Sequence, residues 1–363
     1  MSYLNIRTPK FYTDHVNFLL SNGSLQNSSA MASDNSIVYD VATGSDLINT
    51  FTVGSEDELF DMRPMNTVTF TTNTNATVRA DHVLININKQ TANFKTDYVA
   101  ILNHNMATAK AKVRVASSDT LAHIQSADMS SATAIPSVTE IINADAISSN
   151  FIKPATDGST IFTFTANDDL YYGIQFEGTG SESDTNTGDG LFDDSENLRI
   201  GCIMIGEHYT MPQSPDINVR RSIVFDGVSV QQTLGGQKYA NATHLGKRFQ
   251  NSKKKSPFSL STHNSEIPGG RIIYDMQFSY VPGFELIPNN IYDEYESGDM
   301  FYGDVWNRVK GNLIPFILSI DSSNTGARAE NSMMFARFGE NSFNATQVAP
   351  DIWNISVRIE EEF

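Results

Sequence analysis

Seven histidines are scattered through the chain, at His15, His82, His104, His123, His208, His244 and His263. No two of them share the spacing that would put a pair of imidazoles on one helix face for a metal ion, so metal-dependent hydrolysis is not indicated. One of them stands in Asn103-His104-Asn105, directly after the apolar run Tyr98 to Leu102. Short polar side chains in such a turn satisfy the loop's own backbone groups, with ligand contact as the alternative. Lys253-Lys254-Lys255, beside Lys247 and Arg248, is the one basic cluster. It reads as a solvated loop or as a clamp for an acidic neighbouring surface, since opposite potentials orient docking.

The acidic stretch 184–196 has the look of a calcium loop without its order. Calcium needs oxygens converging from alternate positions, a glycine at the sharp turn and a bidentate acid at the end. Aligning Asp189-Gly190 to the turn leaves Thr185 and Thr187 as the first ligands, and aligning Asp184 to the start misplaces the glycine. A solvated acidic loop is the preferred reading; calcium is the one cofactor worth carrying, and otherwise none is expected. Leu234-Gly235-Gly236-Gln237 lacks the lysine and serine of a phosphate loop and reads as a turn between strands. There is no Gly-x-Ser-x-Gly elbow or other triad signature, so no catalytic residue is assigned. Cys202, the single cysteine, lies in an apolar strand and reads as a small buried hydrophobe, as suits a reducing compartment.

These residues need a scaffold of more than one core. A chain of 363 residues and 40.1 kDa fits two domains. With 25 basic against 42 acidic residues the net charge is −17, a field that repels phosphate backbones, so nucleic acid is not an expected partner. No apolar run approaches the length of a membrane span, and the N-terminus lacks the pattern of a signal peptide.

The pivot is the stretch 199–216. Its apolar run Ile200 to Ile205 fits a buried strand, and Pro212 and Pro215 prevent that strand from continuing, which places a domain boundary there. Before it, Phe11, His15, Phe18 and Leu19 with Gly23 predict one amphipathic helix, part of an N-terminal arm over residues 1–45. Residues 46–210 carry short β-branched and aromatic runs at 66–71, 81–88, 98–102, 111–115, 161–164 and 170–176, without helical stretches between them, which predicts a β-sandwich. The Ala/Ser/Asp-rich stretch 120–149 reads as a long excursion between strands. Residues 211–363 predict a second antiparallel β-sandwich, with strands near 223–225, 272–280, 314–320 and 352–359 and one helix near 300–310. In the last strand Trp353, Ile355, Val357 and Ile359 alternate with polar residues, so one face should be buried. The fold class expected is therefore mainly β.

The runs 98–105, 110–116, 171–176 and 200–206 together resemble a discoidin-like, galactose-binding-like jelly roll. Such jelly rolls bind glycans or proteins through variable loops, so the resemblance transfers no ligand residue. The order of the whole chain, from Arg7-Thr8-Pro9-Lys10-Phe11-Tyr12 through the proline pivot, Gly235-Gly236 and Lys247-Arg248-Phe249 to Trp353–Glu362, resembles minor structural proteins of tailed bacteriophages. The second domain is similar to the β-sandwich of tail-tube and distal-tail proteins. The resemblance implies a non-enzymatic tail or neck component, made in the host cytoplasm and built into the virion. It would form a homo-oligomeric ring and contact other virion proteins. A glycan-binding adhesin for the host surface is the alternative, with a glycan-cleaving enzyme behind it.

Overall fold

The computed structural model describes residues 6–21, 39–41, 47–48, 51–72, 79–80, 82–86, 95–125, 129, 131–134, 138–142, 146–148, 151–179, 192–193, 195–225, 228–242, 257–258, 270–289, 300–323 and 329–362. The chain is mainly β, in sheets that are mostly antiparallel, with few helices among the described residues. It divides into two compact units. One comprises residues 11–209 with 323–330; the other comprises 1–10, 210–322 and 331–363, so the first ten residues belong with the C-terminal part.

In the first unit the strands Val138–Ile142, Gly158–Asn167, Thr96–His104, Cys202–Thr210 and Lys10–Asp14 lie side by side in that order. A second sheet runs Ala146–Ser148, Phe151–Lys153, Ala111–Ser118, Tyr171–Gly178, His82–Asn86 and Tyr39–Val41. Alternation decides what lies between them: Val99, Ile101, Phe162, Ile203 and Ile205 from the first meet Val113, Val115, Tyr172, Ile174 and Phe176 from the second in one buried core. Thr96–His104 is buried along its whole length, as a central strand covered on both faces must be.

The N-terminal reading needs correction. Residues 10–14 form a strand, and the helix is only His15–Ser21. Phe11, Tyr12 and Thr13 are strand formers, and Asp14 begins the helix by accepting the Asn17 N–H at 2.7 Å. Strand Lys10–Asp14 approaches its neighbour so closely that a Cβ on Gly206 would stand 2.0 Å from the Thr13 carbonyl oxygen, so only glycine fits. The excursion 120–149 also differs from its reading: it holds a short helix, Leu121–Gln125, and supplies strands to both sheets.

In the second unit the strands Phe316–Ser319, Met333–Phe338, Ile352–Glu361, Arg271–Pro282 and Arg220–Val224 follow one another, with Ala345–Ala349 paired to Ile352–Glu361. Ile355, Val357 and Ile359 are buried as their alternation requires, while Trp353 is half-buried. The helix near 300–310 is present, with Phe301, Val305 and Val309 fully buried. It widens into π geometry over Tyr302–Asn307, where the Gly311 N–H reaches the Trp306 carbonyl. Trp306 stacks on Phe338 at 4.8 Å between ring centres, and Phe338 on Phe316 at 4.7 Å.

Candidate functional site

The turn expected at 103–105 begins later than the sequence suggests: Asn103 and His104 are the last residues of strand Thr96–His104, only Asn105 lies beyond it, and all three are inside the protein. Asn103 takes a left-handed backbone at φ 54°, a conformation asparagine tolerates better than most residues. Its side-chain amide donates to the Pro64 carbonyl at 2.6 Å. Asn105 clamps the incoming segment: its Oδ1 accepts the Arg199 N–H at 2.6 Å and its Nδ2 donates to the Asn197 carbonyl at 2.8 Å. The Nδ1 of His104 accepts the Met106 N–H at 3.2 Å, so the proton of the neutral ring sits on Nε2, which donates to Thr160 Oγ1 at 2.8 Å. With the three residues at 5%, 0% and 1% exposure, these groups fasten loops to the strand end.

Lys253, Lys254 and Lys255 lie outside the described residues, as do Lys247, Arg248 and most of the acidic stretch. The part of that stretch in view is committed elsewhere. Asp193 Oδ1 accepts from the Ser195 N–H at 3.0 Å and the Glu196 N–H at 3.2 Å, and Oδ2 pairs with Lys110 at 2.9 Å. The Ser195 hydroxyl and the lysine hold this carboxyl well below the usual carboxylate range. Among the described residues no group of three or more His, Cys, Asp or Glu side chains could hold a metal ion.

A cluster of titratable groups was not singled out by the sequence, because its members come from three distant segments. Asp14, fully buried, accepts from Asn17 N and Nδ2 and from the Ile205 N–H at 3.2 Å. Burial pushes its pKa up to about 6 against the pull of those hydrogen bonds. Tyr98 donates its hydroxyl to the Thr13 carbonyl at 2.9 Å, and burial, with the nearby carboxylates, lifts the phenol well above its ordinary value. His208 Nδ1 meets Asp97 Oδ2 at 2.7 Å, while Asp97 Oδ1 accepts the His208 N–H at 3.0 Å. The imidazole also packs against Tyr12, 5.6 Å between ring centres. An oriented Asp–His pair resembles part of a hydrolytic triad, but no hydroxyl or thiol is hydrogen-bonded to this ring among the described residues. Cys202 faces the sulfur of Met62 at 3.9 Å, and burial raises its thiol far above the reactive range. Elsewhere in this unit Lys112 and Glu177, cross-strand partners, form a buried ion pair at 3.2 Å beneath which Phe151 packs, 4.6 Å from Nζ to the ring centre.

Apolar surface on the outside is concentrated in one stretch of the second unit. Strand Arg220–Val224 pairs with Arg271–Pro282 on one side and, among the described residues, ends the sheet on the other. The short apolar run read from the sequence as a strand is there, yet Ile223, Val224 and Phe225 are 51%, 41% and 53% exposed. Next come Val228–Gln232 and Lys238–Ala242, which among the described residues pair only with each other across the Leu234–Gln237 turn. Every residue from 228 to 240 is exposed. The alternation of Val228 and Val230 with Ser229 and Gln231 marks a strand with two unlike faces; the sequence carries no sign that neither face meets the protein's own core.

No protein-family model and no curated protein matches the chain. Among solved structures it is similar to chitosan-binding module 1 derived from a chitosanase/glucanase of Paenibacillus sp. IK-5, at 12% identity, covering 45% of this chain and 97% of that one, with a TM-score of 0.26.

Proposed function

We propose that the protein is a non-enzymatic structural subunit of a tailed-phage virion, placed in the tail or neck and working as a homo-oligomer alongside other virion proteins. The observation that carries this reading is the sheet edge Arg220–Val224. A solitary soluble protein blunts its edge strands with charge, proline or a covering loop, because a free row of N–H and C=O groups recruits other chains. Here Arg220 and Arg221 charge only the first part of the edge, and the rest runs into Ile223, Val224 and Phe225, three exposed apolar residues that no charge or proline interrupts. A surface of this kind suits permanent association, and the resemblance of the chain's order to tailed-phage structural proteins is what suggests a virion as its setting.

Mass spectrometry and immunogold imaging of purified phage particles test the setting. The protein should be found in intact particles at a fixed copy number, and antibody should label one position on the tail or neck. Particles that lack it, while infected cells contain it, would remove the virion reading.

A further inference from the structure

The hairpin Val228–Ala242 has a sidedness that its register makes explicit. Residues directly opposite each other in an antiparallel pair project on the same face. Val230 pairs with Ala240 and Gln232 with Lys238, so Val228, Val230 and Ala240 share one face with Gln232 and Lys238 toward the turn. Gln231 pairs with Tyr239, and with Ser229 they form the opposite face. The first face is an aliphatic strip, with Val228 43% and Val230 59% exposed, on a two-stranded element that pairs with no third strand among the described residues. An isolated hairpin of this kind is marginal in water until a face is covered.

We propose that the Val228, Val230 and Ala240 face is the seat of a second copy of this chain, which lays an acidic part of its surface over it. Charge selects that occupant. Arg220, Arg221 and Lys238 stand against the lone carboxylate of Asp226, so residues 217–242 carry +2 within a chain of −17, and the remainder carries −19. Two copies repel each other over most approaches and attract where this segment of one meets the remainder of the other. The hairpin follows the exposed edge Arg220–Val224 after three residues, so the two surfaces are consecutive in the chain. The proposal rests on the assembly reading above and adds to it the side-chain face and the charge that make the contact.

Two full-length versions of the chain carrying different affinity tags, mixed and co-purified, provide the test, with circular dichroism confirming the fold of each variant. Val228→Asp with Val230→Asp places carboxylates on the aliphatic strip, and co-purification should weaken about a hundredfold, as burial of unpaired charge at an interface dictates. Ser229→Asp with Gln231→Glu puts the same charge on the opposite face and should weaken it less than about threefold, the scale of an exposed charge. Lys238→Glu should weaken association in low salt, with the difference from wild type closing in high salt. Equal loss from both faces, or undiminished association of the Val228→Asp, Val230→Asp variant, overturns the proposal. In the second case the assembly reading stands, since wild-type copies still associate; failure of the wild-type copies to associate at any concentration removes both.

Discussion

Asp14 should make the protein more stable in mild acid than at neutral pH, against the usual behaviour of a carboxylate. Its folded-state pKa of about 6 lies above the ordinary 3.8, because a fully buried carboxylate loses more in desolvation than its hydrogen bonds return. The folded state therefore binds this proton more tightly than the unfolded one. The resulting stabilisation is complete below pH 3.8 and is lost as the pH rises through 6. The span between the two values corresponds to about 3 kcal/mol, at 1.36 kcal/mol for each unit. Other carboxyls titrate over the same range, so the comparison is with Asp14→Asn, which cannot ionise. Asparagine places an NH₂ where one oxygen accepted the Asn17 or Ile205 N–H, which lowers stability at every pH, so the informative quantity is the slope. Urea unfolding followed by tyrosine fluorescence between pH 4 and pH 7 should give a wild-type profile that falls toward neutrality relative to the variant, by about 2 kcal/mol over that range. Parallel profiles would show that Asp14 is not buried as a titrating group and would refute the reasoning.

Gly206→Ala should cost about 1–3 kcal/mol, since the new Cβ meets a backbone oxygen that moves only if two strands part; Gly235→Ala, whose nearest neighbour is 3.9 Å away, should be neutral in the same denaturant assay. Lys112→Met should cost about 3–5 kcal/mol by leaving Glu177 buried without its lysine, and Glu177→Leu added to it should restore most of that loss. Thiol titration should find Cys202 inert in the native protein and reactive at the rate of unfolding; rapid native labelling would contradict its burial.

The strands were legible where one face is apolar and the other is not, as in 352–361, or where both faces are apolar, as in 96–104, because period-2 patterning reports burial directly. The helix start was misread because Phe11 and His15 also satisfy a helical period; the pairing that makes 10–14 a strand is with residues nearly two hundred positions away. The excursion 120–149 hid its strands behind alanine and serine, which carry little propensity either way. The polar cluster of Asp14, Asp97 and His208 was invisible for the same long-range reason. The exposed edge was half visible: Ile223-Val224-Phe225 and the alternating Val228 and Val230 mark strands, but an apolar residue in a strand reads as buried unless tertiary structure shows that nothing covers it.

The central claim is that this chain is built to associate through the edge at Arg220–Val224. Sedimentation velocity on the purified full-length protein, beside the variant Ile223→Lys with Val224→Lys, tests it most directly, because lysine on a free edge opposes strand pairing without touching either core. The account predicts a discrete oligomer for the wild type and a folded monomer for the variant. A wild-type monomer at every concentration, or a variant that sediments as the same oligomer, would contradict it.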